Sequence, residues 1–124
     1  DGIIVVASPQ ELVSMIVGKA VKMAQMMNIP ILGVVENMSG LVCPHCHQEI
    51  DLFKKGGGEE LAKHYGIPFL GAIPLDPATV VAADRGVPVV YLEQDCPAKQ
   101  AFLHLADAIA QAADSGAAKL VSKS

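Results

Sequence analysis

The sequence contains no tryptophan, few other aromatic residues, and fewer basic than acidic side chains. Its formal net charge of −4 leaves it without the basic surface that nucleic-acid-binding proteins need, so we expect no nucleic-acid partner. No apolar run approaches the roughly 20 residues that a membrane-spanning helix requires, because charged residues interrupt the hydrophobic N-terminal stretch. We therefore expect a soluble protein with no membrane partner.

A secretory signal is also missing from the sequence, which starts directly on an apolar run with no basic segment before it. Three cysteines are an odd set for a disulfide framework, and two of them, Cys43 and Cys46, lie three positions apart. Such a pair fits metal or redox chemistry in a reducing compartment. These observations predict a cytoplasmic location.

What the sequence does contain is enough apolar material for one domain, since 52% of its 124 residues are hydrophobic. Short apolar runs at residues 3–7, 31–35 and 69–73, the first of them rich in β-branched residues, are typical of strands buried on both faces. Helical patterns at residues 11–27 and 59–65 separate these runs. This alternation predicts an α/β fold, a parallel sheet with flanking helices.

Further elements are predicted from apolar spacing and from helix-capping residues. The first helix should be amphipathic, with one apolar stripe: Leu12, Ile16, Ala20, Met23 and Met27. Asp76 followed by proline is a typical helix start, and residues 87–92 are a fourth strand candidate. A last helix opens after Asp95, and its apolar stripe should dock on the sheet: Ala98, Ala101, Phe102, Leu105 and Ile109. Residues 115–124 are predicted to form a flexible tail.

The irregular stretch at residues 37–58 carries the sequence Cys43-Pro44-His45-Cys46. Two thiolates on one tight loop can hold a single metal ion or cluster from one side. A closed zinc or [4Fe-4S] site needs about four ligands. The set would be completed by His45 or His47, or by the same thiolates of a second chain related by a two-fold axis.

Other interpretations of the cysteine pair stay open. Thiol-disulfide exchange uses this spacing, but in that fold the first cysteine begins a long helix, and the sequence after Cys46 soon breaks at three glycines. The string from Cys43 to His47 also matches a c-type haem attachment motif, which expects an exported or electron-transfer context. Finally, the segment could be a surface loop with free thiols or a loop tightened by zinc. Cys96 has no ligand-type neighbour in sequence, and we interpret it as structural.

A nucleotide site is suggested at the ends of two predicted strands. Asn37 follows the second strand, and residues 74–76 follow the third, at the edge where open α/β sheets bind ligands. The Asn37 amide can pair with a base edge, although capping a turn is its more common role. Gly56-Gly57-Gly58 lacks the spacing of a phosphate loop, and a flexible hinge is the favoured interpretation.

Several short strings occur in order along nearly the whole chain: Ser8-Pro9-Gln10-Glu11, Gly33-Val34-Val35-Glu36-Asn37-Met38-Ser39, Cys43-Pro44-His45-Cys46, Gly57-Gly58 and Ile73-Pro74-Leu75-Asp76-Pro77. Together they resemble the Mrp family of iron-sulfur cluster carriers, P-loop ATPases similar to MinD and ParA. The resemblance implies a doubly wound parallel sheet, of which residues 1–114 would be the C-terminal part.

The resemblance also implies the function of individual residues. Asn37 would contact adenine, and Pro74, Leu75 and Asp76 would lie beside the base and ribose of ATP. Cys43 and Cys46 would ligate a [4Fe-4S] cluster shared by a homodimer, for transfer to apo iron-sulfur proteins, with zinc as the alternative metal.

The phosphate-binding loop of that family, Gly-Lys-Gly-Gly-Val-Gly-Lys-Ser/Thr, does not occur in this sequence. Hydrolysis needs amides and a lysine around the phosphates and a Mg²⁺ ion, so these residues alone should not hydrolyse ATP. The alternatives to a cluster carrier are a zinc-stabilised nucleotide-binding module and a thiol-disulfide oxidoreductase.

Overall fold

The computed structural model describes residues 2–51 and 56–115, and it alternates strands with helices as the sequence predicts. The elements in chain order are β1 (Ile3–Ala7), α1 (Glu11–Met26), β2 (Ile31–Glu36), β3 (Leu41–Val42), β4 (Glu49–Ile50), α2 (Gly57–Tyr65), β5 (Phe69–Ala72), α3 (Pro77–Asp84), a 3₁₀-helix (Val89–Tyr91) and α4 (Pro97–Ser115). None of the described helices is long and apolar enough to cross a membrane.

The main sheet has the order β1-β2-β5, and both strand pairs are parallel. This confirms the predicted parallel α/β sheet. The central strand β2 is buried along almost its whole length, which explains its continuous apolar sequence. Because the strands are parallel, their carboxyl ends meet at one edge of the sheet. Ala7, Glu36 and Ala72 lie side by side there.

The main core lies between this sheet and the helices α1 and α2, and it includes Val21, Ala24 and Val34. The predicted stripe of α1 is wrong, since Ile16, Met23 and Met27 are more than half exposed and Ala20 is also exposed, whereas Val21 and Ala24 are buried. The side chain of Leu12 lies outside the described residues. Apolar residues occur all around this helix, so their spacing alone could not identify its buried face.

A second, smaller cluster joins α3, the 3₁₀-helix and the start of α4 through Ala82, Val89 and Ala98. The predicted strand at residues 87–92 is wrong: the segment forms the 3₁₀-helix instead. Pro88 removes one amide from any strand ladder, and the Tyr91 N–H donates to the Pro88 carbonyl at 2.9 Å. Within the segment Val89 is buried in the cluster between the helices, whereas Tyr91 is 76% exposed.

The last helix starts at Pro97, as the capping residues predicted, and it contacts β5 and β2. Its predicted stripe lies on the packed side, with Ala98 buried and Phe102 and Leu105 half-buried. The tail predicted at residues 115–124 falls, from residue 116 onward, outside the described residues. Cys96 is half-buried against the second cluster, consistent with a structural role.

Candidate functional site

Cys43 and Cys46 lie at the tip of a small antiparallel hairpin formed by β3 and β4. Beyond the strand pair, the Cys43 N–H donates to the Gln48 carbonyl at 2.9 Å, and the His47 N–H donates to the Cys43 carbonyl at 2.9 Å. The chain closes this turn through a left-handed His47, at φ 61°. The turn holds both cysteines on one short loop, with Cys46 exposed and Cys43 half-buried.

The thiol of Cys43 has a pKa below its ordinary value. The main cause is a hydrogen bond to its sulfur from the Cys46 backbone, followed by those from the His45 backbone and from the Cys46 side chain. These bonds favour the thiolate, which is the form that binds metals and attacks disulfides. The turn thus prepares Cys43 for either chemistry.

The cysteine pair gains no further ligand within the described part of the chain. No group of three or more His, Cys, Asp or Glu side chains there is arranged to hold a metal ion. His45 and His47 flank the thiols on the exposed turn, but they do not complete a site. One chain therefore offers two thiolates at this point, and a closed metal or cluster site needs about four ligands.

The outgoing limb of the hairpin is hydrogen-bonded to the segment that follows β5. The Ser39 N–H donates to the Ile73 carbonyl at 2.9 Å, and the Leu75 N–H donates to the Gly40 carbonyl at 2.8 Å. Leu41 forms a parallel bridge with Leu75. The limb that leads to Cys43 is therefore joined by its backbone to Leu75, one of the predicted nucleotide-contact residues.

Asn37 lies at the carboxyl edge of the sheet with an exposed side chain. Its backbone N–H donates to the Ala7 carbonyl at 2.7 Å, which extends the β1–β2 ladder by one residue. Its Oδ1 accepts the Met38 N–H at 2.9 Å, and Met38 has a positive φ of 59°. The side chain therefore caps a turn, and it is also accessible to a ligand at this edge.

The carboxylate of Asp76 is engaged within the fold. One oxygen accepts the Ala78 N–H and the other accepts the Ala98 N–H, each at 3.0 Å. Asp76 thus caps the first turns of both α3 and α4. Each oxygen thus has one amide partner, and the remaining acceptor sites of the carboxylate are not used by these two bonds.

A buried glutamate that was not singled out in the sequence lies at the end of β2, and it contacts the first turn of α2. Glu36 is 1% exposed, and its Oε1 accepts the Gly58 N–H at 2.8 Å. The expectation of a flexible hinge at residues 56–58 is wrong, since Gly57 and Gly58 are buried in the first turn of α2. In the sequence, the signal for Glu36 was a charged residue at the end of a continuous apolar strand.

The two remaining histidines lie on helices. His64 lies on α2, where its ring makes an edge contact with Tyr65 at a centroid distance of 4.9 Å. His104 is exposed on α4.

Comparisons with a family model and with individual protein sequences agree on one family. The family model "ParA: NUBPL iron-transfer P-loop NTPase" matches residues 1–110. The chain is 50% identical over 102 residues to an iron-sulfur cluster carrier protein of Methanocaldococcus jannaschii, covering 82% of this chain and 34% of that protein. It is 53% identical over 77 residues to a probable cytosolic Fe-S cluster assembly factor of Schizosaccharomyces japonicus, covering 62% of this chain and 13% of that protein. The chain thus spans about a third or less of the length of these curated relatives.

Solved structures agree on the fold. A nucleotide-binding protein of Archaeoglobus fulgidus, in complex with ADP and with Co found in it, matches with a TM-score of 0.61 and 33% identity over 78% of this chain and 42% of that one. The cell division protein MinD of Aquifex aeolicus matches with a TM-score of 0.69 over 90% of this chain and 44% of that one. At 20% identity the second likeness concerns the fold alone.

Proposed function

Because the chain belongs to the ParA family of NUBPL iron-transfer P-loop NTPases, we propose that it is the C-terminal part of an ATP-dependent iron-sulfur cluster carrier. In this proposal residues 1–114 belong to the ATPase domain, and the protein works in the cytoplasm. Cys43 and Cys46 bind one edge of a [4Fe-4S] cluster, which is the cargo, and apo iron-sulfur proteins receive it. The names of the relatives support this assignment.

The observation that carries the proposal is the pair of cysteines on one turn without a further ligand group in the described residues. A [4Fe-4S] cluster takes about four thiolates. Two copies of the hairpin, related by a two-fold axis, supply that number without any other residue. The lowered pKa of Cys43 favours the ligating form of its sulfur.

The nucleotide site belongs to the same proposal. Asn37 contacts the adenine of ATP, and residues 74–76 line the base and ribose, while Mg²⁺ and the phosphates are bound by residues outside this chain. The hydrogen bonds that join residues 39–41 to residues 73–75 support a coupling between the two sites. A change at the nucleotide edge would reach Cys43 through two residues of backbone.

Anaerobic reconstitution with iron and sulfide tests the cluster assignment. We expect about two irons per chain and a broad visible absorbance band, both lost in Cys43→Ser. Cys96→Ala is the matched control, because Cys96 is a half-buried thiol in a different part of the fold, and it should retain the iron. Iron that persists in Cys43→Ser would contradict the assignment.

The two alternatives predict different results in the same experiment. Colourless protein that retains zinc would make the pair a structural metal site. Disulfide turnover between Cys43 and Cys46 would indicate a thiol-disulfide oxidoreductase, which the lowered pKa of Cys43 also suits. Against that activity, Cys43 lies on a hairpin turn and not at the start of a helix.

A further inference from the structure

Helix α3 has an apolar face that is exposed in the described part of the chain. Pro77 is exposed, and the side chains of Val80 and Val81 are 62% and 57% exposed. Because the two valines follow Pro77 by three and four positions, the three residues share one face of the helix. Another side of the helix packs in the second cluster through Ala82. Helices that are apolar on several sides are normally buried on all of them, so we expect this face to have a partner.

The exposed face of α3 borders an open groove of about 500 Å³. The groove is lined by residues of β3, of the segment after β5 and of α3: Leu41, Leu75, Asp76, Pro77, Val80 and Val81. We call these six residues the hairpin groove. Leu41 belongs to the cysteine hairpin, and it forms a parallel bridge with Leu75. All members of the groove except Asp76 are apolar, so the groove is a hydrophobic surface at the base of the hairpin.

The hairpin groove lies close to Cys43. Leu41 precedes Cys43 by two residues, and the Cys43 N–H continues the β3–β4 ladder by donating to the Gln48 carbonyl at 2.9 Å. Residues two apart along a strand lie on the same face, with their Cα atoms about 6–7 Å apart. The groove therefore begins about two residues from the first thiol, on the same face of the hairpin.

In the proposed cluster-sharing dimer, the second chain must cover the surface around the thiols. The described part of each chain supplies two thiolates here, and a cluster takes about four, so two hairpins must meet at the metal. A stable interface buries about 800 Å² of each partner, from about 20–30 residues. The exposed hairpin residues 44–51 are too few to supply that area. The interface must therefore extend onto the surface next to the hairpin.

We propose that the hairpin groove is the surface on which a second copy of this chain packs when the two hairpins share a cluster. The inference rests on the proposed function, and it adds the contact that keeps the two chains together. In a two-fold dimer each copy presents the same groove, so Val80 and Val81 leave water on both chains. An apolar surface suits this lasting contact, since homodimer interfaces are more apolar than those of transient partners.

A single charge in the groove tests the proposal without altering the core. Val80→Lys changes a side chain that is 62% exposed, so each chain should still fold, whereas a charge buried in the interface opposes the dimer. Val80→Ile keeps the surface apolar. Met23→Lys is the matched control, because Met23 is 63% exposed and lies near the C-terminal end of α1, away from the sheet edge that bears the hairpin. Cys43→Ser reports on the proposed function itself.

The measurement is sedimentation equilibrium of the anaerobically reconstituted chain, with iron per chain determined on the same samples. We expect dimers with about two irons per chain for wild type, Val80→Ile and Met23→Lys, and dimer dissociation constants within about threefold of one another. Val80→Lys should raise the dimer dissociation constant about tenfold and lose iron at lower protein concentrations than wild type. Its far-ultraviolet circular dichroism should match wild type, which separates a lost contact from a lost fold.

The inference is overturned if Val80→Lys dimerises as tightly as wild type, if Met23→Lys weakens the dimer equally, or if wild type sediments as a monomer. A Val80→Lys dimer that keeps its iron but delivers the cluster more slowly to an apo [4Fe-4S] protein would also overturn it, since the groove would then bind the recipient. The proposed function fails separately, if Cys43→Ser retains as much iron as wild type. In that case these thiolates do not ligate the cluster, even where Val80→Lys weakens the dimer.

Discussion

Strand β2 and the cysteine hairpin that follows it are neighbours in sequence, but they are stabilised in different ways. Ile31 and Val34 of β2 are 1% and 0% exposed and pack in the main core. In the hairpin, residues 44–51 are all exposed, and each strand has two residues. Hydrophobic burial stabilises the first region, whereas backbone hydrogen bonds position the second. Global stability and metal binding should therefore respond to different mutations.

The largest effect on stability should come from truncating a core isoleucine. Ile31→Ala removes a side chain that is 1% exposed, and we expect it to lower the free energy of unfolding by about 2–5 kcal/mol. Ile50→Ala in the hairpin removes the same atoms from a side chain that is 41% exposed, and it should cost about 1 kcal/mol or less. Urea denaturation of both variants checks the difference. Equal losses would contradict the contrast between the two regions.

A smaller loss of folding stability should follow Asp76→Ala, at the sheet edge that strand β2 and the hairpin share. The carboxylate caps α3 through Ala78 and α4 through Ala98, and each lost cap costs about 0.5–2 kcal/mol. Asp84→Ala, at the exposed end of α3, is the control and should change stability by about 0.5 kcal/mol or less. Unchanged stability in Asp76→Ala with weaker nucleotide binding would assign the carboxylate to the nucleotide site instead.

The smallest effect should come from the tip of the hairpin. His47 has a φ of 61°, a conformation that costs a residue with a Cβ about 1 kcal/mol and glycine very little. His47→Gly should therefore leave global stability nearly unchanged and leave iron binding intact or improved. Iron analysis of the reconstituted variant is the measurement. A loss of iron would show that the imidazole is a ligand and that the site needs fewer thiolates.

The regular part of the fold was predictable because its signals are local. Buried parallel strands gave continuous apolar runs, and helix starts such as Asp76 carried their own capping residues. The face of α1 was not predictable, because apolar side chains surround that helix and the choice between them depends on the sheet. Residues 87–92 look like a strand in sequence, yet the packing of Val89 between helices determines their structure.

The residues of the candidate site were also only partly predictable from the sequence. Cys43, Cys46 and Asn37 were chosen as candidate site residues from residue type and position. The structure places them on one segment, which leaves the edge of the sheet after Glu36. The hairpin itself gave no periodic signal, since its strands have two residues each. Glu36 was missed because its partner, Gly58, is 22 positions away along the chain, and only the fold brings the two together.

The most direct test of the account is native mass spectrometry of the anaerobically reconstituted protein. We expect a [4Fe-4S] mass on dimers, one cluster for two chains, and we expect it to disappear when Cys43→Ser and Cys46→Ser are combined. A cluster carried by a single chain, or by dimers of the doubly substituted protein, would contradict the claim that two copies of this hairpin share it.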